Sequence, residues 1–122
     1  MHKILLIEDD TTMLSLLSTF LEIEGYRITP LSGEAGAEEI LRRTRSENPE
    51  LILMDVHLPG VSGFDLVQRM RKDEVLKSTK VIMSSGMNLS VESQHAGADG
   101  FILKPYMPDE LVKKIRETLN ND

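Results

Sequence analysis

Residues 51–66 read LILMDVHLPGVSGFDL, and this stretch decides the fold. Leu51 to Met54 is a short continuous apolar run, the pattern of a strand buried on both faces. It runs into Asp55 and then into the turn Leu58-Pro59-Gly60. Ser62-Gly63-Phe64-Asp65 has the form of a capping box and opens a helix whose apolar side is Phe64, Val67 and Met70. A buried strand that hands over to an amphipathic helix is the repeating unit of a parallel α/β sheet.

The same unit recurs on either side. Upstream, Lys3 to Ile7 (KILLI) is a strand ended by Glu8-Asp9-Asp10. From Thr11 the residues Met13, Leu16, Leu17, Phe20 and Leu21 fall at helical spacing, with Gly25 as the stop. Tyr26 to Thr29 reads as a second strand. Gly33 to Arg45 reads as a helix with Ala37, Ile40 and Leu41 inward, ended by Asn48-Pro49. Downstream, Val81 to Met83 is a fourth strand that ends at Ser84-Ser85-Gly86. A short helix over Leu89 to Ala96 leads through Gly97 to the strand Phe101-Ile102-Leu103 and then to Lys104-Pro105. Pro108 suits the first turn of a last helix with Leu111, Val112, Ile115 and Leu119 on its apolar face. Five strand–helix pairs predict a flavodoxin-like α/β three-layer sandwich. Its five-stranded parallel sheet takes the order 2-1-3-4-5, with five helices, the fourth of them short.

Composition narrows the function classes. The chain has 122 residues, enough for one domain, 1–122, and no visible output domain. It lacks cysteine, which excludes a disulfide framework, a thiolate metal site and a cysteine nucleophile. Its three histidines are scattered; His2 and His95 read as surface residues. A formal charge of −6 argues against direct nucleic-acid binding, because phosphate contacts need clustered Lys and Arg. The cluster Arg42, Arg43 and Arg45 reads as a solvated helix face, and the seven methionines as core filler. No apolar run approaches the ~20 residues of a membrane span, so a soluble cytoplasmic domain is expected.

In the expected strand order, the polar strand ends converge at the carboxyl edge of the sheet, where ligands bind in such folds. They are Glu8-Asp9-Asp10, Asp55, Ser84-Ser85 and Lys104. Asp10 reads as the cap of the first helix rather than as a ligand. Carboxylates held close together repel, and a hard cation resolves the repulsion. Mg²⁺ takes one or two carboxylates and fills its shell with water and phosphate oxygen, which suits Glu8, Asp9 and Asp55. An Asp carboxylate can act as nucleophile and form an aspartyl phosphate. Phosphoryl transfer then asks for positioning and neutralised charge, which Mg²⁺, Lys104 and the Ser85 hydroxyl supply.

The motifs KILLIEDD, LILMDVHLPGVSGFDL, VIMSSG and GADGFILKP together resemble those of response-regulator receiver domains of two-component systems, over Lys3 to Leu119. The resemblance implies that Asp55 is the phosphoacceptor and that Glu8 and Asp9 join it in holding Mg²⁺. It further implies the His57 backbone carbonyl as a metal ligand, and Lys104 before a cis-bonded Pro105. Ser85, rather than Ser84, corresponds to the switch hydroxyl, and Phe101 to the switch aromatic. The implied partners are a histidine kinase or histidine phosphotransfer protein and a downstream effector. Three departures stand out. Phe101 has no hydroxyl, Met87 replaces an acid or amide two residues past Ser85, and the run from Ser85 to Lys104 is nearly a helical turn short.

Four other readings compete. An FMN site needs a phosphate-binding loop after the first strand, where Glu8-Asp9-Asp10 would repel phosphate. A phosphatase with an aspartyl-phosphate intermediate usually has a second Asp two residues after the nucleophile, where this chain has His57. A structural pseudo-receiver conflicts with the complete set of site residues. The His57 imidazole as a metal ligand is weaker than a loop side chain that lends only its carbonyl.

Overall fold

The computed structural model describes residues 2–120. Seven strands and five α-helices follow one another as β1 (Lys3–Glu8), α1 (Thr11–Ile23), β2 (Arg27–Ser32), α2 (Ala37–Glu47), β3 (Leu51–Asp55), β4 (His57–Leu58), β5 (Val61–Ser62), α3 (Gly63–Arg71), β6 (Lys80–Ser85), α4 (Ser90–Ala96), β7 (Gly100–Leu103) and α5 (Pro108–Asn120). Strands β2-β1-β3-β6-β7 form one sheet, in that order, and every pair is parallel. Counting only these five strands, the order is the expected 2-1-3-4-5. The two-residue strands β4 and β5 make a separate antiparallel hairpin just after Asp55.

Alternation within each strand explains why the central runs are apolar throughout. Leu5, Ile7, Ile52, Met54, Val81 and Met83 face a core built with Ile40 and Leu41 of α2 and Leu66, Val67 and Met70 of α3. Ile4, Leu6, Leu51, Leu53 and Ile82 face the other core, with Leu21 of α1 and Leu111, Val112 and Ile115 of α5. The sheet is therefore the middle of three layers. Each fully buried Leu or Ile contributes on the order of 2 kcal/mol through area removed from water.

Several local expectations are corrected. Met13 and Leu16 do not join the core; they are exposed, while Leu14, Leu17 and Phe20 pack against it. The first helix thus shows an apolar stripe wider than the one it buries. The second helix begins at Ala37, not Gly33, because Gly36 at φ +88° breaks the chain after a 3₁₀ turn at Gly33–Ala35. The second strand runs to Ser32, beyond Thr29; Pro30 is tolerated because β2 is an edge strand. The capping box at Ser62 is not formed by its side chain; instead the Gly63 N–H donates to the Val56 carbonyl at 2.8 Å. Within the stretch read as the short helix, Leu89 packs against the core and Val91 is exposed. The methionines divide: Met54, Met70 and Met83 are buried, but Met13, Met87 and Met107 are exposed.

Other expectations hold. Asp10 caps α1, its carboxylate accepting from the Met13 N–H at 3.1 Å. Helix α4 has seven residues and stops at Gly97. Arg71 at the end of α3 pins that stop. It donates to the carbonyls of Gly97 (2.8 Å) and Thr79 (2.7 Å) and to the Asp99 carboxylate (2.9 Å). Among the described residues no helix is long and apolar enough to cross a membrane.

Candidate functional site

Two strand ends and the residue after a third strand bring the polar groups together. Glu8 ends β1, Asp55 ends β3, and Lys104 follows β7. Because side chains alternate along a strand, Glu8, Asp55 and Lys104 all project on the face covered by α1 and α5. Glu8, Asp9 and Asp55 each place a carboxylate oxygen within 4.8 Å of the others. The Lys104 ammonium spans two of them, donating to Asp55 Oδ2 at 2.6 Å and to Glu8 Oε1 at 3.2 Å. Backbone groups finish the arrangement. The Asp9 and Asp10 N–H groups donate to Glu8 Oε2 at 2.9 and 3.1 Å, and the His57 N–H donates to Asp55 Oδ1 at 3.2 Å.

Charge follows from this geometry. Burial raises the Glu8 pKa; the Asp10 N–H works against that, contact with Asp9 adds to it, and Lys104 lowers it, with the net shift upward. Burial pulls the Lys104 ammonium down, but the hydrogen bond to Asp55 and the charges of Asp55 and Glu8 outweigh it and leave the pKa raised. The lysine is therefore held protonated between the two carboxylates. Three acidic groups against one cation leave an excess of negative charge, the condition a hard divalent cation satisfies. The donor set fits Mg²⁺: all-oxygen, closely grouped, and open to solvent at Asp9.

The remaining expected residues lie around this cluster. Ser85 is buried, and its hydroxyl accepts from the Met87 N–H at 3.1 Å rather than touching Asp55. Phe101 lies half-buried against the opposite core, opposite Met83 in register. His57 is exposed on the β4–β5 hairpin. The Lys104–Pro105 bond is cis, and the Lys104 N–H donates to the Ser85 carbonyl at 2.8 Å, tying the lysine loop to the end of β6.

Sequence reasoning set Ser84 among the converging strand ends but gave it no role, and missed Tyr106. Ser84 is the register partner of Asp55, and Tyr106 lies two residues beyond Lys104. Both line a cavity of about 10 Å³ with Glu8, Asp55, Leu6, Ile7, Leu17 and Leu53. Burial raises the Tyr106 pKa; Lys104 lowers it, while Glu8 and Asp55 raise it further, so the phenol keeps its proton. For Ser84 the available signal was alternation: one residue before Ser85, it must face the Asp55 side of the sheet. A larger groove of about 710 Å³, lined by Met13, Leu16, Leu17, Phe20, Pro105 and Tyr106 among others, opens beside Lys104.

Comparison with known proteins places this geometry. A family model described as the response regulator receiver domain matches residues 4–116. The transcriptional regulatory protein AfsQ1 of Streptomyces coelicolor is 34% identical over 98% of this chain and 52% of its own length. A CheY-like response regulator receiver domain protein from Methanospirillum hungatei is 36% identical, covers 98% of this chain and 94% of its own, and superposes with a TM-score of 0.85. The chemotaxis response regulator CheY4 of Vibrio cholerae is 25% identical over 97% of this chain and 98% of its own, with a TM-score of 0.87. The chain spans about half the length of the curated relatives it matches.

Proposed function

This chain belongs to the response regulator receiver domain family, and from that membership we propose that Asp55 is its phosphoacceptor, served by Glu8, Asp9, Lys104 and Ser85. Receiver domains are the phosphoaccepting modules of two-component systems, which sets the function class. The observation that carries the residue assignment is the Asp55 carboxylate held between the Lys104 ammonium, at 2.6 Å, and the acidic pair.

The step is a phosphoryl transfer from a phosphohistidine. A carboxylate oxygen of Asp55 attacks phosphorus, the P–N bond breaks, and the imidazole leaves with the electron pair and takes a proton. Glu8, Asp9, Asp55 and the His57 carbonyl are the groups that would hold Mg²⁺, which when bound offsets the negative charge gathered by the phosphoryl oxygens. Lys104 fixes Asp55 Oδ2 and balances charge as the P–N bond loosens. After transfer, the Ser85 hydroxyl turns from the Met87 N–H to donate to a phosphoryl oxygen. Phe101 then moves into the space released, biasing a two-state face made of α4, β7 and α5. Met87 supplies no group to orient a hydrolytic water, so the adduct persists.

The groove beside Lys104 supports the choice of donor. Exposed Met13 and Leu16 lie next to the site and give an amphipathic helix bearing the phosphohistidine an apolar seat. A histidine kinase or histidine phosphotransfer protein is accordingly the upstream partner. A protein that reads the switched face is the downstream one. The domain works in the cytoplasm, where ATP charges the donor histidine. It transfers a phosphoryl group to itself and is not a turnover enzyme, so p-nitrophenyl phosphate should not be hydrolysed catalytically.

Acetyl phosphate with Mg²⁺ should add one phosphate, read by intact mass. The adduct should vanish in Asp55→Asn and be strongly reduced by EDTA or in Asp9→Ala. An unchanged adduct in Asp55→Asn refutes the acceptor, and full labelling without divalent metal refutes the role of Glu8 and Asp9.

A further inference from the structure

Beneath the carboxylates of Glu8 and Asp55 lies a cavity of about 10 Å³ whose remaining walls come from Leu6, Ile7, Leu17, Leu53, Ser84 and Tyr106. The volume matches one water molecule, which needs about 10–15 Å³ of accessible space and two to four polar partners. Four of the wall residues are polar. Two, Ser84 and Tyr106, bring hydroxyl donors, and two, Glu8 and Asp55, bring carboxylate acceptors.

The hydroxyls are otherwise unused. Ser84 is 4% exposed, and neither its hydroxyl nor that of Tyr106 has a hydrogen-bond partner among the described residues. A hydroxyl without a protein partner turns to water, and an ordered water serves it nearly as well as a direct bond. Tyr106 is also close enough to the cluster for its phenol to feel the charges of Lys104, Glu8 and Asp55. The apolar remainder of the wall confines a water to the polar corner and strengthens each bond it makes.

We propose that Ser84 and Tyr106 hold a single water beneath Asp55 and Glu8, and that this water fixes the orientation of the two carboxylates for phosphoryl transfer. Ser84 and Tyr106 are then positioning residues. They act through the water, while Lys104 and the His57 N–H hold the outer side of Asp55. With the water present, both carboxylates gain a further tie besides those to Lys104 and the backbone N–H groups, and Asp55 meets the phosphorus in one pose. The kinetic half of the proposal rests on Asp55 being the acceptor; the water itself does not.

Two measurements separate the halves. Water-to-amide NMR cross-peaks, recorded on the unphosphorylated protein, should appear at the amides of Asp55 and Ser84 and disappear in Ser84→Val, whose methyl groups fill the space. Acetyl phosphate labelling at saturating Mg²⁺, run over donor concentration, should show a maximal rate about 2- to 10-fold lower in Ser84→Ala and Tyr106→Phe, the worth of one or two ordinary hydrogen bonds. The half-saturating donor concentration and the urea midpoint should stay within about 2-fold and 0.5 M of wild type. Ser84→Thr, which keeps the hydroxyl, should recover most of the rate. The double variant Ser84→Ala/Tyr106→Phe should lose no more than the worse single variant, because both residues hold the same water. Absent cross-peaks in the wild type overturn the water. Wild-type maximal rates in Ser84→Ala and Tyr106→Phe, or losses that multiply in the double variant, overturn its positioning role. If Asp55→Asn still labels fully, the acceptor assignment fails while the cross-peaks continue to test the water.

Discussion

Replacing Gly63 with Ala puts a methyl group where the backbone at the end of β3 already lies. A Cβ on this residue would sit 2.7 Å from the Asp55 carbonyl oxygen, 2.7 Å from Met83 Cε and 3.0 Å from Val56 Cα. The Met83 methyl is a flexible tip and can swing aside. The other two atoms are main chain at the end of β3 and cannot. Helix α3 cannot simply back away, because the Gly63 N–H donates to the Val56 carbonyl at 2.8 Å. Overpacking against fixed backbone costs about 1–3 kcal/mol, and the better helix propensity of Ala offsets at most about 1 kcal/mol of it. A net loss of about 1–2 kcal/mol lowers Tm by about 3–8 °C for a domain of this size. Because the displaced atoms carry Asp55, the labelling rate with acetyl phosphate should fall about tenfold as well. Gly86→Ala is the control: a Cβ there has no neighbour within 4 Å, and stability should change by less than about 0.5 kcal/mol. Thermal unfolding and labelling kinetics on the two variants decide the matter. A Gly63→Ala protein with wild-type Tm and rate would show that α3 does not rest on the backbone of Asp55 and Val56.

Met87→Glu should shorten the phosphoryl lifetime several-fold, since a carboxylate orients water where a thioether does not; an unchanged decay, followed by intact mass, removes that role. Helix α4 should show the fastest amide exchange of the five helices, because it has seven residues, exposes Val91 and buries a Ser93 hydroxyl with no partner. Slow exchange across Ser90–Ala96 would contradict this. Asp73 is held below the usual carboxylate range by hydrogen bonds from Arg45 and from the Val75 N–H. A depressed carboxylate contributes stability above its ordinary pKa and loses it as pH falls through the folded value. Asp73→Asn should therefore be less stable near neutral pH and show a flatter acid limb in urea midpoints; an acid limb identical to wild type refutes the pairing.

The sheet was legible because its strands are buried on both faces. Runs such as LILM and VIM fit no amphipathic helix of that length, and the helices between them carry periodic apolar residues. The cluster of Glu8, Asp9, Asp55 and Lys104 was legible for the same reason, since strand order places those ends side by side. Three kinds of detail were not. Helix α1 has more apolar positions than its partner face accepts, so the sequence could not separate Leu17, which packs against the core, from exposed Leu16. The start of α2 depends on the backbone at Gly36, which residue types alone leave open. Ser84 was set aside in favour of Ser85, and Tyr106 was passed over because a tyrosine after proline carries no motif. Register sets Ser84 opposite Asp55, and the chain after the Lys104–Pro105 bond brings Tyr106 to line the same cavity.

In the proposed function, phosphoryl transfer ends on one carboxylate, that of Asp55, framed by Lys104 and the acidic pair. The most direct measurement is reductive mapping. The protein is labelled with acetyl phosphate and Mg²⁺, treated with borohydride to convert the acyl phosphate to an alcohol, digested, and sequenced by mass spectrometry. Homoserine is expected at position 55, with Glu8, Asp9 and Asp10 unmodified. Homoserine at another aspartate, or a labelled protein in which Asp55 is recovered intact, would contradict it.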